Sequence, residues 1–118
     1  EGLLMANFVD FDSMYGHRRN AQGYAQCLEK FDAMLGELLP LLQDDELLMI
    51  TSDHGNDPTM SGTDHTREEV PLVAYSPGLT ESTDLGTRKT FADLGQTIMD
   101  NFDAGKLPFG TSFLNDLK

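Results

Sequence analysis

The sequence predicts an α/β fold in which a mostly parallel sheet is flanked by helices. Apolar runs of strand length recur along the chain, and an amphipathic helical pattern lies between the first two runs. Polar residues of metal-binding types follow these runs. In a strand–helix–strand unit the strands are parallel with a right-handed crossover, so their carboxyl ends lie at one edge of the sheet. We therefore expect these polar residues to meet in one site at that edge.

The composition is that of a globular protein with an acidic surface. With 118 residues, 39% hydrophobic and 24% charged, the chain fits one ordered domain. The formal net charge of −12 argues against nucleic acid and anionic membranes as partners. It would also repel a phosphorylated substrate, unless bound cations reverse the local field.

The single cysteine and the hydropathy pattern bear on location. Cys27 has no second cysteine to pair with inside the chain, which fits a reducing compartment. The sequence has neither a signal-peptide pattern nor an apolar run of membrane-spanning length. We therefore predict a cytoplasmic protein that does not bind membranes.

The first part of the chain predicts a strand followed by a helix. Residues 3–9 are mostly apolar and predict a buried strand, and residues 13–19 predict a polar loop. Asn20 is a candidate helix N-cap. Apolar residues between 24 and 38 recur at i, i+3, i+4 and i+7, which predicts an amphipathic helix. Pro40 should end or kink that helix.

The second predicted strand, residues 47–50, leads directly into polar residues. Asp53 and His54 follow it, and Gly55 with Asn56 predicts a turn. A carboxylate next to an imidazole at a strand end suggests metal binding or acid–base catalysis. An N-cap aspartate followed by an unrelated surface histidine is the structural alternative.

The last part of the chain predicts a third strand, a second helix and a tail. A polar loop over residues 58–69 precedes the strand at residues 70–75. Thr90 should start the helix, with Asp93 at capping-box spacing. The residues predicted to face the core are Phe91, Leu94, Ile98 and Phe102 in the helix and Phe109, Phe113 and Leu114 in the tail.

All three histidines of the chain lie in predicted loops at or after strand ends, each near an aspartate. Mixed Asp and His ligands suit Zn²⁺ and Mn²⁺, and so many ligands suggest two metals rather than one. Individually, the aspartates could cap helices and the histidines could be loop residues. A Ser–His–Asp triad fits less well, because no Gly-x-Ser-x-Gly motif is present. The candidate pairs are Asp12 with His17, Asp53 with His54, and Asp64 with His65.

Four motifs resemble the C-terminal part of bacterial phosphopentomutases, which belong to the alkaline phosphatase superfamily and are related to cofactor-independent phosphoglycerate mutase. The Asp-His-Gly sequence alone would indicate only the superfamily. The four motifs in this order indicate the family, and the resemblance extends through TFADLGQT at residues 90–97. The motifs are VDFD at residues 9–12, YGHR at 15–18, TSDHGNDP at 51–58 and GTDHTRE at 62–68.

The resemblance implies an enzyme, an isomerase that interconverts ribose or deoxyribose 1-phosphate and 5-phosphate. It implies two Mn²⁺ ions, a phosphothreonine intermediate and a sugar bisphosphate activator. By motif, Asp12, His17 and His65 match the ligands of one metal. Asp53 and His54 match ligands of the other. The oligomeric state stays open.

The resemblance also implies what residues 1–118 lack. The family's nucleophilic threonine, one further aspartate ligand and the cap domain belong to an N-terminal region that has no counterpart here. We therefore expect a single C-terminal segment of the metal-binding core, without a catalytic nucleophile and inactive alone. Arg18, Arg19 and Arg67 are candidate phosphate contacts, although exposed arginines are common. The alternatives are a phosphoglycerate mutase or phosphatase of the same superfamily, and a non-catalytic metal-binding fragment.

Overall fold

The computed structural model describes residues 2–118 and has an α/β composition, with two α-helices and a small sheet. The helices are α1 at Ala21–Leu38 and α2 at Ala92–Asn101. The strands are β1 at Leu48–Thr51 and β2 at Leu72–Tyr75. A π-helical turn occupies Phe11–Gly16, and 3₁₀ turns occupy Leu39–Leu41 and Leu114–Asp116.

The chain divides into two compact units, which we describe separately. The first unit comprises residues 2–42 together with Thr51–Leu72, and it contains α1 and all of the candidate metal ligands. The second comprises Gln43–Ile50 and Val73–Lys118, with α2 and most of both strands. Within residues 2–118, no helix combines the length and the apolar character needed to cross a membrane.

Helix α1 begins and ends where the sequence predicts. The Asn20 side chain accepts a hydrogen bond from the Gly23 backbone N–H at 2.9 Å, which caps the N-terminus. Pro40 lies in the 3₁₀ turn that follows the helix. Gly23 allows the π-helical turn to approach, because a Cβ there would lie only 2.4 Å from a Tyr15 ring carbon. The Phe11 ring packs edge-on against Tyr24, with the ring centroids 5.3 Å apart.

The predicted first strand is wrong. Residues 2–8 have no regular secondary structure, and the side chains of Leu4 and Met5 are 95% and 87% exposed. A strand needs a neighbour to pair with its backbone N–H and C=O groups, and among the described residues only β1 and β2 form a sheet. The parallel strand–helix–strand unit is therefore not formed within residues 2–118.

The two-stranded sheet does not confirm a mostly parallel arrangement. It does confirm the second and third predicted strands to within two residues, at Leu48–Thr51 and Leu72–Tyr75. The loop prediction for residues 13–19 is wrong in part, because Phe11–Gly16 forms the π-helical turn.

Helix α2 buries polar side chains more completely than the predicted apolar face, of which Leu94 and Ile98 are half-buried. Asp93, Gln96 and Thr97 are buried, whereas Phe91 and Phe102 are 58% and 40% exposed. The capping box is not formed, because the Asp93 carboxylate bonds to other partners. The tail does dock, with Phe113 fully buried and Phe109 77% exposed.

Candidate metal centre

The π-helical turn and two polar loops of the first unit carry the candidate ligands, and close backbone approaches bring these segments together. An antiparallel bridge joins Gly55 to Thr66, so the loop after β1 lies against the loop that carries His65. The Thr66 hydroxyl also accepts a hydrogen bond from the Asp57 backbone N–H at 2.7 Å. Gly16 allows Asn56 to approach the π-helical turn, since a Cβ at Gly16 would lie 2.5 Å from the Asn56 amide nitrogen.

Asp12, His17 and His65 form the centre of the cluster. The Nε2 atoms of both histidines lie 3.3 Å from Asp12 carboxylate oxygens, His17 from Oδ2 and His65 from Oδ1. The two Nε2 atoms are 3.1 Å from each other. The other ring nitrogen of His17 contacts the Thr63 carbonyl oxygen, which orients the imidazole with its Nε2 towards Asp12.

His54 lies against the same cluster. Its ring stacks on that of His65, with centroids 3.8 Å apart, and its Nδ1 is 3.2 Å from the Gly55 carbonyl oxygen. Asp12, His54 and His65 each offer a ligand atom within 4.8 Å of the others. The Asp53 side chain is 83% exposed, with Oδ1 3.7 Å from His54 Nε2. The first unit therefore brings four of the five predicted ligands together and places Asp53 at the edge.

The Asp12 carboxylate is held in its charged form. Burial raises the pKa of this carboxyl, but the hydrogen bond from Asn56 and the charges of His17, His65 and His54 outweigh that effect. The net pKa lies below its ordinary value. The Asn56 amide donates to Asp12 Oδ1 at 2.6 Å. Asp12 is therefore ionised at neutral pH, as a metal ligand must be.

Comparison with known proteins now assigns a family. A family model described as the metalloenzyme superfamily matches residues 1–106, which is most of the chain. The chain belongs to the metalloenzyme superfamily. A protein of Levilactobacillus brevis named phosphopentomutase is 56% identical over 117 residues. That match covers 99% of this chain but 30% of the relative, so the chain spans about a third of the relative's length. The sequence-based resemblance is confirmed.

The clustered side chains fit the metal that membership of the metalloenzyme superfamily implies. Metal–ligand bonds of about 2.0–2.2 Å place neighbouring ligand atoms roughly 3–3.5 Å apart. The separations between Asp12, His17 and His65 are 3.1 and 3.3 Å. Carboxylate and imidazole are suitable donors for Zn²⁺ and Mn²⁺.

The remaining aspartates support loops instead of joining the cluster. Asp57 Oδ1 accepts hydrogen bonds from the backbone N–H and hydroxyl of Thr59, both at 2.7 Å. These bonds lower the pKa of the Asp57 carboxyl. Asp10 is at the N-terminus of the π-helical turn, and Asp64 contributes its backbone carbonyl to Arg19.

Two residues that support the cluster were not assigned this role from the sequence. Asn56 was predicted only as a turn residue, yet it bonds to Asp12. Arg19 was a candidate phosphate contact, yet its guanidinium bonds to the Asn56 side chain and to backbone carbonyls. No local pattern signals these roles, because the partners lie 37 to 45 residues away in sequence.

Proposed function

We propose that this chain is the part of a phosphopentomutase that supplies most of the metal ligands. The observation that carries the proposal is the 56% identity to a protein named phosphopentomutase along 99% of the chain. In this proposal the whole enzyme is an isomerase that interconverts (deoxy)ribose 1-phosphate and 5-phosphate. Residues 1–118 form a C-terminal segment of its metal-binding core, in the cytoplasm.

The proposed metals are two Mn²⁺ ions. Asp12, His17 and His65 would hold one, and Asp53 with His54 would contribute to the second. The contacts of Asp12 with both of its partner histidines support the first set. The stacking of His54 on His65 supports an adjacent second site. When bound, such ions lower the pKa of the attacking hydroxyl and neutralise charge on the transferring phosphoryl group.

The residues of this chain would hold the metal ions and orient the ligands, whereas the catalytic nucleophile would come from a part of the protein outside residues 1–118. We propose a phosphothreonine outside residues 1–118, with a sugar bisphosphate as activator. Thr63 and Thr66 already have structural contacts in their loop. The Thr63 backbone carbonyl oxygen contacts His17, and the Thr66 hydroxyl accepts a hydrogen bond from the Asp57 N–H. We therefore assign neither of them as the nucleophile, and we expect no mutase turnover from the isolated chain.

A chimera tests whether this segment completes a phosphopentomutase. The chain would replace the matching part of the Levilactobacillus brevis relative, and ribose 5-phosphate formation from ribose 1-phosphate would be measured with Mn²⁺. We expect the chimera to be active and its His65→Ala variant to lose more than about 100-fold, above the effect typical of outer-shell partners. The exposed Asp32→Asn change on α1 is the matched control.

The same exchange separates the alternatives. A folded chimera that binds Mn²⁺ without mutase turnover would contradict the proposal and favour a non-catalytic metal-binding segment. In the scaffold of a cofactor-independent phosphoglycerate mutase, we expect this chain not to restore activity on phosphoglycerate. Restoration there, together with failure in the first chimera, would favour the phosphoglycerate mutase alternative.

A further inference from the structure

Arg19 lies beside the candidate metal centre and bonds to protein atoms on two loops. Its Nε donates to the Gly62 carbonyl oxygen at 2.6 Å, and one terminal nitrogen donates to the Asp64 carbonyl oxygen. The other terminal nitrogen donates to Asn56 Oδ1 at 2.7 Å and to the Asp57 carbonyl oxygen at 2.8 Å, with a longer 3.2 Å contact to Gly16. All three guanidinium nitrogens therefore donate to protein acceptors.

Three of these bonds, to Asn56, Gly62 and Asp64, lead to candidate ligands. Asn56 accepts from Arg19 through its carbonyl oxygen and donates its amide to Asp12 Oδ1 at 2.6 Å. The amide orientation is therefore fixed, since an Asn56 flip would place its NH₂ group against the guanidinium. The segment held through Gly62 and Asp64 contains Thr63, whose carbonyl oxygen contacts His17, and it leads directly into His65.

The backbone of Arg19 also indicates a constrained position. Its φ is 52°, in the left-handed region that non-glycine residues rarely adopt. The Arg19 backbone N–H donates to the Gly16 carbonyl oxygen at 3.1 Å, just after the π-helical turn ends. This conformation is unfavourable for a non-glycine residue and persists when surrounding contacts determine it. The contacts here are those of the guanidinium itself.

We infer that Arg19 is a positioning residue of the candidate metal centre: one guanidinium holds Asn56 against Asp12 and fixes the loop that carries His65. This inference rests on the proposed metal site but assigns a role that the ligand set does not contain. Arg19 acts through other residues and not on substrate, so it is unlike a phosphate-binding arginine. Its neighbour Arg18 is exposed and serves as the matched comparison.

Metal titration of the chain tests this role without an activity assay. Mn²⁺ affinity would be measured by calorimetry, and Co²⁺ would be added as a probe whose visible spectrum reports ligand geometry. We expect Arg19→Gln to weaken Mn²⁺ binding about 10–100-fold, the range for outer-shell partners, and to change the Co²⁺ spectrum. Arg18→Gln should stay within about twofold of the parent.

The Arg19→Lys variant distinguishes an effect of positioning from an effect of charge. It also replaces Arg19→Gln in the titration if that variant does not fold. An ammonium keeps the charge but cannot reach acceptors on both loops in the fixed geometry of the guanidinium, so we expect it to lose affinity as well. Thermal unfolding without metal would confirm that each titration is done below the transition. Parent-like affinity and an unchanged Co²⁺ spectrum in folded Arg19→Lys would overturn the inference.

A double-mutant cycle with Asn56→Ala tests the connection to Asp12. If Arg19 acts through Asn56, the loss of affinity in the double variant is smaller than the product of the two single losses. Losses that simply multiply would overturn the connection. A folded parent chain that binds neither Mn²⁺ nor Co²⁺ would overturn the proposed metal site together with this inference. A parent that binds while the Arg19 variants bind equally would overturn the Arg19 role alone.

Discussion

The Arg19 side chain of the first unit and the Asp93 side chain of the second bond to the backbone of neighbouring segments in opposite directions. In the first unit, the Arg19 guanidinium donates to carbonyl oxygens of two loops. In the second unit, side chains of α2 accept from backbone N–H groups of the tail, as Asp93 does from Thr111 and Thr97 from Phe113. The first arrangement holds irregular loops around a cluster of imidazoles, whereas the second holds a tail against a helix.

The two units differ further in how their polar side-chain atoms are paired. In α2 the Gln96 amide donates to Asp100 at 2.7 Å and accepts from the Leu107 N–H at 2.8 Å. Each polar atom of the Gln96 amide therefore faces a partner of the complementary kind, donor to acceptor. In the first unit, His17 and His65 instead point nitrogens at each other and at one carboxylate. Complementary pairing is typical of structural networks, and converging ligand atoms are typical of a metal site.

The sharpest test of this comparison removes the converging atoms. We expect a His17→Ala, His65→Ala variant to lose Mn²⁺ binding entirely in calorimetry, because only Asp12 of the central three ligands remains. Stability of the metal-free chain should change little, since the rings are partly exposed and do not fill a core. An Asp32→Asn variant controls for surface change. Undiminished Mn²⁺ affinity in the double variant would rule out this cluster as the metal site.

The corresponding test in the second unit is Asp93→Ala. Asp93 is 5% exposed, and its carboxylate pairs with Arg88 Nε at 2.9 Å and accepts from the Thr111 N–H at 2.8 Å. Removing it takes away the nearest carboxylate of a partly buried guanidinium, which typically costs about 3 kcal/mol. We expect that loss in urea unfolding, with Mn²⁺ affinity unchanged below the transition.

Asp103→Asn, at an exposed position after α2, is the control for Asp93→Ala. Its stability should stay within about 0.5 kcal/mol of the parent. If Asp93→Ala weakened Mn²⁺ binding as strongly as the double histidine variant, the division of roles between the two units would be wrong.

The sequence predicted what depends on neighbours along the chain. Helix α1 could be predicted because Asn20 caps it, Pro40 follows it and its apolar residues have helical spacing. The cluster could be predicted because each histidine follows a strand or loop with an aspartate beside it. Residues 3–9 have the composition of a strand, but a strand also needs a partner, and no local pattern provides one.

The errors elsewhere have a related cause. In α2 the apolar spacing of Phe91, Leu94, Ile98 and Phe102 suggested the buried face. Leu94 and Ile98 are only half-buried, because the tail supplies N–H groups that favour full burial of Asp93 and Thr97. Helical periodicity does not predict hydrogen bonds between residues that lie 16 or more positions apart in the sequence. The same argument applies to Arg19, whose partners are mostly backbone carbonyls that any sequence provides.

The smallest predicted effect concerns Thr97, which is fully buried. Its hydroxyl donates to the Asp93 carbonyl oxygen at 2.8 Å and accepts from the Phe113 N–H at 3.0 Å. Thr97→Val keeps the shape but leaves the Phe113 N–H unsatisfied, which should cost about 2 kcal/mol and thus more than Thr97→Ser. Thr97→Ser keeps the hydroxyl and loses one methyl group, which should cost about 1 kcal/mol. Both variants would be measured by urea unfolding. Equal losses of stability would mean that packing, rather than the hydrogen bond to the tail, makes Thr97 important. Polar contacts would then stabilise the second unit less than we infer.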